Sequence, residues 1–166
     1  MRVLLIANNP NADVPNDGYD LYVHFNSAIH WGKTPEDKSI IGVRKNSENN
    51  KHRNFHYTKD LNLKPYYLDV PDDKIVAIGW TKDIRPLHPD IPIIGLEEID
   101  HYPEGHSATS GYAAIHYYLD RGHDVYLCGF NLPEASYYKT TKLHLPDFET
   151  DMIEAMIAMR IIARHY

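Results

Sequence analysis

The sequence predicts an α/β fold, a single Rossmann-like domain with a mostly parallel, twisted sheet flanked by helices. Three observations lead there. Short apolar runs with little polar alternation recur along the chain, as in strands buried on both faces. Turn formers crowd in directly after the first of them, and helical stretches are interposed among the later ones. A length of 166 residues suits one domain with one sizeable core.

The elements follow in order. "RVLLIA" (2–7), ended by "NNPNADVPNDG", is the first strand. "YDLYVHF" (19–25) sets Leu21, Val23 and Phe25 against Tyr22 and His24 and is the second. "SIIGV" (39–43) is the third, "KIVAIG" (74–79) the fourth and "IPIIG" (91–95) the fifth. The stretch 44–73 is polar, lacks helical periodicity and reads as a loop or insertion within the single 1–166 domain. "WTKDIRPLHPD" is too short and too interrupted by proline for a long helix.

Ser107 or Thr109 caps a helix whose apolar positions Ala113, Ala114, Tyr117 and Tyr118 fall three and four apart, and Gly122 suits the left-handed C′ position. "HDVYLCGF" (123–130) is the sixth strand. A last helix begins at Pro146, with Asp147, Glu149 and Asp151 near its positive end. Met152, Ala155, Met156, Met159, Ile162 and Ala163 are its expected buried face. The terminal "IIARHY" either extends that helix toward a neighbouring subunit or is covered by its own sheet, so a homo-oligomer stays open.

Composition narrows the function. Apolar residues at 43% and charged residues at 24% are ordinary for a globular chain. A net charge of −6 lacks the basic footprint of a duplex DNA binder, so no nucleic-acid partner is expected. An anionic ligand must then be held locally, by backbone N–H groups and a few side chains. The single cysteine, Cys128, excludes an internal disulfide and a multi-cysteine zinc site, and reads as a buried strand residue. No histidine pair has ligand spacing on one helix face, so no metal is expected. The apolar run in "MRVLLIANN" is too short for a signal peptide or a spanning helix, which predicts a cytoplasmic chain without a transmembrane segment.

In parallel sheets ligands sit beyond the carboxyl ends of the strands. The polar clusters fall there: Asn8 and Asn9 after the first strand, Asn26 and Ser27 after the second, Asn131 after the sixth. Asparagine amides both donate and accept, which suits a sugar or a base edge, although "NNPN" is also a turn in its own right. The turn "SATSG" offers hydroxyls and orphan N–H groups at a helix mouth, with Gly111 allowing close backbone approach. It is either an anion site or a cap without a ligand. His144, before the last helix, can serve as a general base or hold a phosphate, with Glu149 turned back to fix its tautomer. The alternative is an exposed loop histidine. Tyr137 and Tyr138 bring phenolic donors to the same loop, and Lys139 and Lys142 bring charge.

In combination these stretches resemble the sialyltransferases, both the animal-type enzymes with sialyl motifs and the bacterial lipooligosaccharide enzymes. "VLLIANNPNADVPNDGYDLYVHFNSAIHWG" (3–32) is similar to the large motif, with His24 where the family usually has arginine. "SATSGYAAIHYYLDRGHDVYLCGF" (107–130) is similar to the small motif, and "HLPDFE" fits the last one. Together they cover about two fifths of a chain much shorter than either family.

The resemblance implies a sialyltransferase-like GT-A variant fold. It also implies a glycosyltransferase that moves a sugar from a CMP-activated, CMP-sialic acid-like donor to a glycan or saccharide acceptor. Transfer would invert the anomeric centre without metal and without a tightly bound cofactor. Asn9 and Asn26 would contact CMP, and Thr109, Ser110 and Gly111 its ribose or phosphate. His144 would be the base, and Tyr137 or Tyr138 would steady the departing phosphate. A non-catalytic nucleotide-binding or regulatory protein on the same scaffold is the alternative.

Overall fold

The computed structural model describes residues 1–26, 28–44, 70–86, 88–130 and 145–165. Seven strands form one sheet: β1 (Arg2–Ile6), β2 (Leu21–Phe25), β3 (Ser39–Arg44), β4 (Ile75–Gly79), β5 (Ile93–Gly95), β6 (Asp124–Cys128) and β7 (Ala163–Arg164). Their order across the sheet is β5-β4-β3-β2-β1-β6-β7, and every pair is parallel. All six expected strands are present. Five are trimmed at their ends, where hydrogen bonding rather than hydrophobicity sets the limit, and β3 runs one residue further, to Arg44.

β1 is an interior strand, with Val3 opposite Leu21 on one side and Val125 on the other. Alternate residues face opposite layers. Val3 and Leu5 join Val23, Val125 and Leu127 beneath α2 (Ser110–Asp120) and α3 (Pro146–Ala158). Leu4 and Ile6 face the other way, with Tyr19, Tyr22 and Cys128, under the connection that carries Ala12 and Val14. Ala28, Ile41, Ala77 and Ile84 fill that second face near β3 and β4, where α1 (Thr81–Ile84) contributes a single turn. Burial on both faces explains why the strands read as apolar runs. Cys128 is a buried strand residue, its thiol 3.4 Å from the Asp13 carbonyl, and burial raises its pKa to about 11. No helix among the described residues is long and apolar enough to cross a membrane.

α2 starts where the cap pattern places it. Thr109 is the N-cap, its Oγ1 accepting from Tyr112 N at 3.3 Å. Gly122 ends the helix with φ +73. α3 departs from expectation. It stops at Ala158 instead of running on to the end of the chain, and residues 163–164 turn back as β7 beside β6. Its buried face is Glu149, Ile153 and Met156, whereas Ala155 and Met159 are exposed. Ile162 is buried in the main core and Ala163 is an exposed strand residue. The reason is local: Arg160 takes φ +57 and closes the helix without a glycine. The segment 44–73 is described only at its edges, in Arg44 and residues 70–73.

Candidate functional site

The carboxyl ends of β1, β2 and β3 are laced together by side chains that sequence reasoning placed there. Asn8 Nδ2 donates to the Phe25 carbonyl at 2.8 Å, and its Oδ1 accepts from Ile29 N at 3.3 Å. Asn26, at φ +45, accepts from Arg44 N through Oδ1 at 2.9 Å. Asparagine tolerates that left-handed backbone better than most residues do. Half-buried Arg44 continues the chain of contacts. Its Nη1 donates to the Ala108 carbonyl at 2.8 Å and its Nη2 to Ser107 Oγ at 3.2 Å, so β3 holds the turn that opens α2. Burial lowers the Arg44 pKa to about 10, opposed by the charge of Glu149, which leaves the guanidinium cationic.

Glu149 closes the lattice from the other side. It is 0% exposed, and its Oε1 accepts from Thr109 N at 2.7 Å and from the Tyr102 hydroxyl at 2.8 Å. Its Oε2 accepts from Thr109 Oγ1 at 2.6 Å. The anion at this helix mouth is therefore one the chain supplies itself, matched to the positive end of α2. Tyr102 in turn accepts from Leu145 N at 3.1 Å, which brings the residue after His144 to the same rim. Burial, with Glu149 adding to it, raises the Tyr102 pKa and keeps the phenol protonated as a donor.

Gly111 also has a specific packing duty. A Cβ there would lie 2.7 Å from Phe130 Cε1, so the close approach it permits is that of an aromatic ring. The N–H groups of Ser110 and Gly111 have no partner among the described residues.

Asn9 is buried. Its Oδ1 accepts from Asn11 N at 3.0 Å, and its carbonyl accepts from Ala12 N at 3.0 Å and from His30 Nε2 at 2.7 Å. His30 Nδ1 accepts from Lys33 Nζ at 3.1 Å, and burial lowers the His30 pKa. A neutral ring fits both contacts. The side-chain amide nitrogens of Asn9 and Asn26 have no partner among the described residues.

Beside Asn9 opens a crevice of about 240 Å³, lined by Asn9, Asn11, Asp13, Phe130, Arg164 and His165 among others. It lies where the strand order turns back on itself. From β1 the chain passes over one face toward β2, while β6 leads to α3 on the other face. Ligands of open α/β sheets favour this position. Gly129, at φ +75, makes it narrow, since a Cβ there would come within 3.0 Å of Ala12 Cβ.

Asn8, Asn9, Asn26, Thr109, Ser110, Gly111 and Glu149 thus gather at one rim of the sheet. Ser27, Asn131, Tyr137, Tyr138, Lys139, Lys142 and His144 lie outside the described residues. Sequence reasoning missed Arg44, Tyr102, His30 and His165. Only Arg44 carried a signal, as a lone guanidinium directly after an apolar strand. Among the described residues, no group of three or more His, Cys, Asp or Glu could hold a metal ion. Compared with protein-family models, curated proteins and solved structures, the chain matches none.

Proposed function

We propose that this chain binds a mononucleotide at the carboxyl rim of its sheet and uses CMP as the leaving group of a sialyltransferase-type glycosyl transfer. The observation that carries the binding reading is the convergence of segments around residues 8–9, 26, 44 and 107–111 on one rim beside the switch-point crevice. The amide donors of Asn9 and Asn26 and the N–H groups of Ser110 and Gly111, without partners among the described residues, suit a base or sugar edge and a ribose or phosphate respectively.

On this reading the fold is a sialyltransferase-like GT-A variant, and the donor is a CMP-sugar. His144 takes the proton of an acceptor hydroxyl on a glycan or saccharide, and Tyr137 or Tyr138 steadies the departing phosphate. Hydrogen-bond donors at that phosphate supply what a cation would otherwise supply. The transfer step rests on sequence resemblance alone.

Nucleotide binding without transfer is the second reading. A specific observation favours it: both oxygens of Glu149 are engaged by Thr109 and Tyr102, so this carboxylate serves as an anchor.

Calorimetry of CMP, UMP and AMP against the purified protein tests the shared claim. Selective CMP binding is the expected outcome, and no binding of any of the three overturns it. His144→Ala separates the readings, since loss of a general base lowers turnover by roughly 10² to 10⁴ while CMP affinity changes little. Donor hydrolysis or transfer that survives His144→Ala would remove the histidine from the mechanism.

A further inference from the structure

The crevice beside β1 has two unlike walls. Asn9, Asn11 and Asp13 form one, and Arg164 and His165 at the end of β7 form the other. Arg164 is already engaged, its Nη2 donating to Glu154 of α3. His165 is held and oriented instead. Its backbone N–H donates to the Leu127 carbonyl at 2.8 Å, and its Nδ1 lies 2.7 Å from the Tyr19 hydroxyl.

Tyr19 is buried, packs edge-on against the imidazole with centroids 5.8 Å apart, and has no other hydroxyl partner among the described residues. With the Tyr19 O–H donating to Nδ1, the neutral ring carries its proton on Nε2. A protonated ring carries a proton on Nε2 as well. That nitrogen has no partner among the described residues, and the half-buried ring lines the crevice.

We infer that His165 is a ligand-binding residue of the crevice, its Nε2–H donating to a phosphate oxygen of the bound nucleotide. The inference rests on the nucleotide reading above and adds an orientation to it. The Asp13 carboxylate repels a phosphate and accepts from sugar hydroxyls, so the phosphate turns toward β7 and the sugar toward the opposite wall. Tyr19 is a positioning residue, setting tautomer and ring plane as an outer partner does for a ligating histidine.

The test compares CMP with cytidine, which lacks the phosphate, by calorimetry on wild type, His165→Ala, His165→Gln and Tyr19→Phe, with thermal unfolding of each. His165→Ala is expected to weaken CMP by about tenfold or more and to leave cytidine within about twofold, since the lost hydrogen bond goes to a charged group. His165→Gln, which keeps an N–H at similar reach, recovers part of the loss. Tyr19→Phe gives a smaller loss confined to CMP, and the phosphorus resonance of bound CMP shifts in the His165→Ala complex. Equal weakening of CMP and cytidine, or none of either, overturns the role of His165 and leaves nucleotide binding standing. Failure of the wild type to bind any nucleotide overturns both.

Discussion

Glu149 illustrates how one buried side chain can organise a rim. Removing it leaves Thr109 N–H and the Tyr102 hydroxyl without their acceptor and takes away the Glu149 charge that acts on Arg44. Glu149→Ala should therefore lower the unfolding free energy in urea by about 3–5 kcal/mol, as charge-assisted hydrogen bonds are lost and buried donors are left unpaired. Glu149→Gln, which retains an acceptor oxygen, should cost less. A change under about 1 kcal/mol for the alanine variant would show the carboxylate to be dispensable.

His24 sets the acid limit of the same region. Ser39 Oγ donates to the Pro35 carbonyl at 2.5 Å and lies 2.9 Å from Thr34 Oγ1, so Thr34 gives its proton to Ser39 and accepts from His24 Nε2 at 2.8 Å. His24 Nδ1 is then a bare, buried nitrogen with no partner, and burial holds the ring's pKa down to about 3. The unfolded chain takes up this proton first as the pH falls. The stability that neutral His24 contributes is complete above about pH 6.5 and is lost toward pH 3, at up to roughly 1.4 kcal/mol per pH unit. His30 and His116, also lowered by burial, act in the same sense. His24→Gln should flatten the acid limb of a stability–pH curve, and an unchanged limb would remove His24 as its cause.

The two long helices end by one geometry with different residues. In α2, Gly122 N donates to the Leu119 carbonyl and His123 N to the Tyr118 carbonyl, a Schellman closure with glycine at C′. In α3, Arg160 N donates to the Ile157 carbonyl and Ile161 N to the Met156 carbonyl, the same closure with arginine at φ +57. Only the first is legible in a sequence, because glycine marks it. The second lies inside a methionine- and isoleucine-rich run that continues the helical pattern, so β7 and its neighbour His165 stay hidden. Arg160→Gly should raise stability by roughly 0.5–1 kcal/mol, since glycine relieves the left-handed backbone cost and gives some of it back as chain entropy. Thermal unfolding measures it, and a destabilised variant would mean that the arginine side chain matters more than its backbone.

Across the whole molecule, the sheet and its polar rim were legible because buried parallel strands have a distinctive composition and their carboxyl ends are where polar clusters collect. The wiring of the rim was not, because it depends on contacts such as Thr109 with Glu149, 40 residues apart, that no local pattern encodes. β7 also matters beyond its length. It covers the flank of β6 and brings Ile162, 3% exposed, into the main core. Ile162→Ala should cost about 2–5 kcal/mol in urea unfolding. A loss below about 1 kcal/mol would show that the last strand adds little to the sheet.

The pairing of Val3 with Val125 carries a kinetic consequence. β1 can recruit β2 early, but its other neighbour must arrive across roughly 120 residues of chain, and such long closures slow folding. Until β6 docks, one edge of β1 is bare and sticky. Refolding from denaturant should therefore be slow and sensitive to protein concentration, with self-association competing against completion of the sheet.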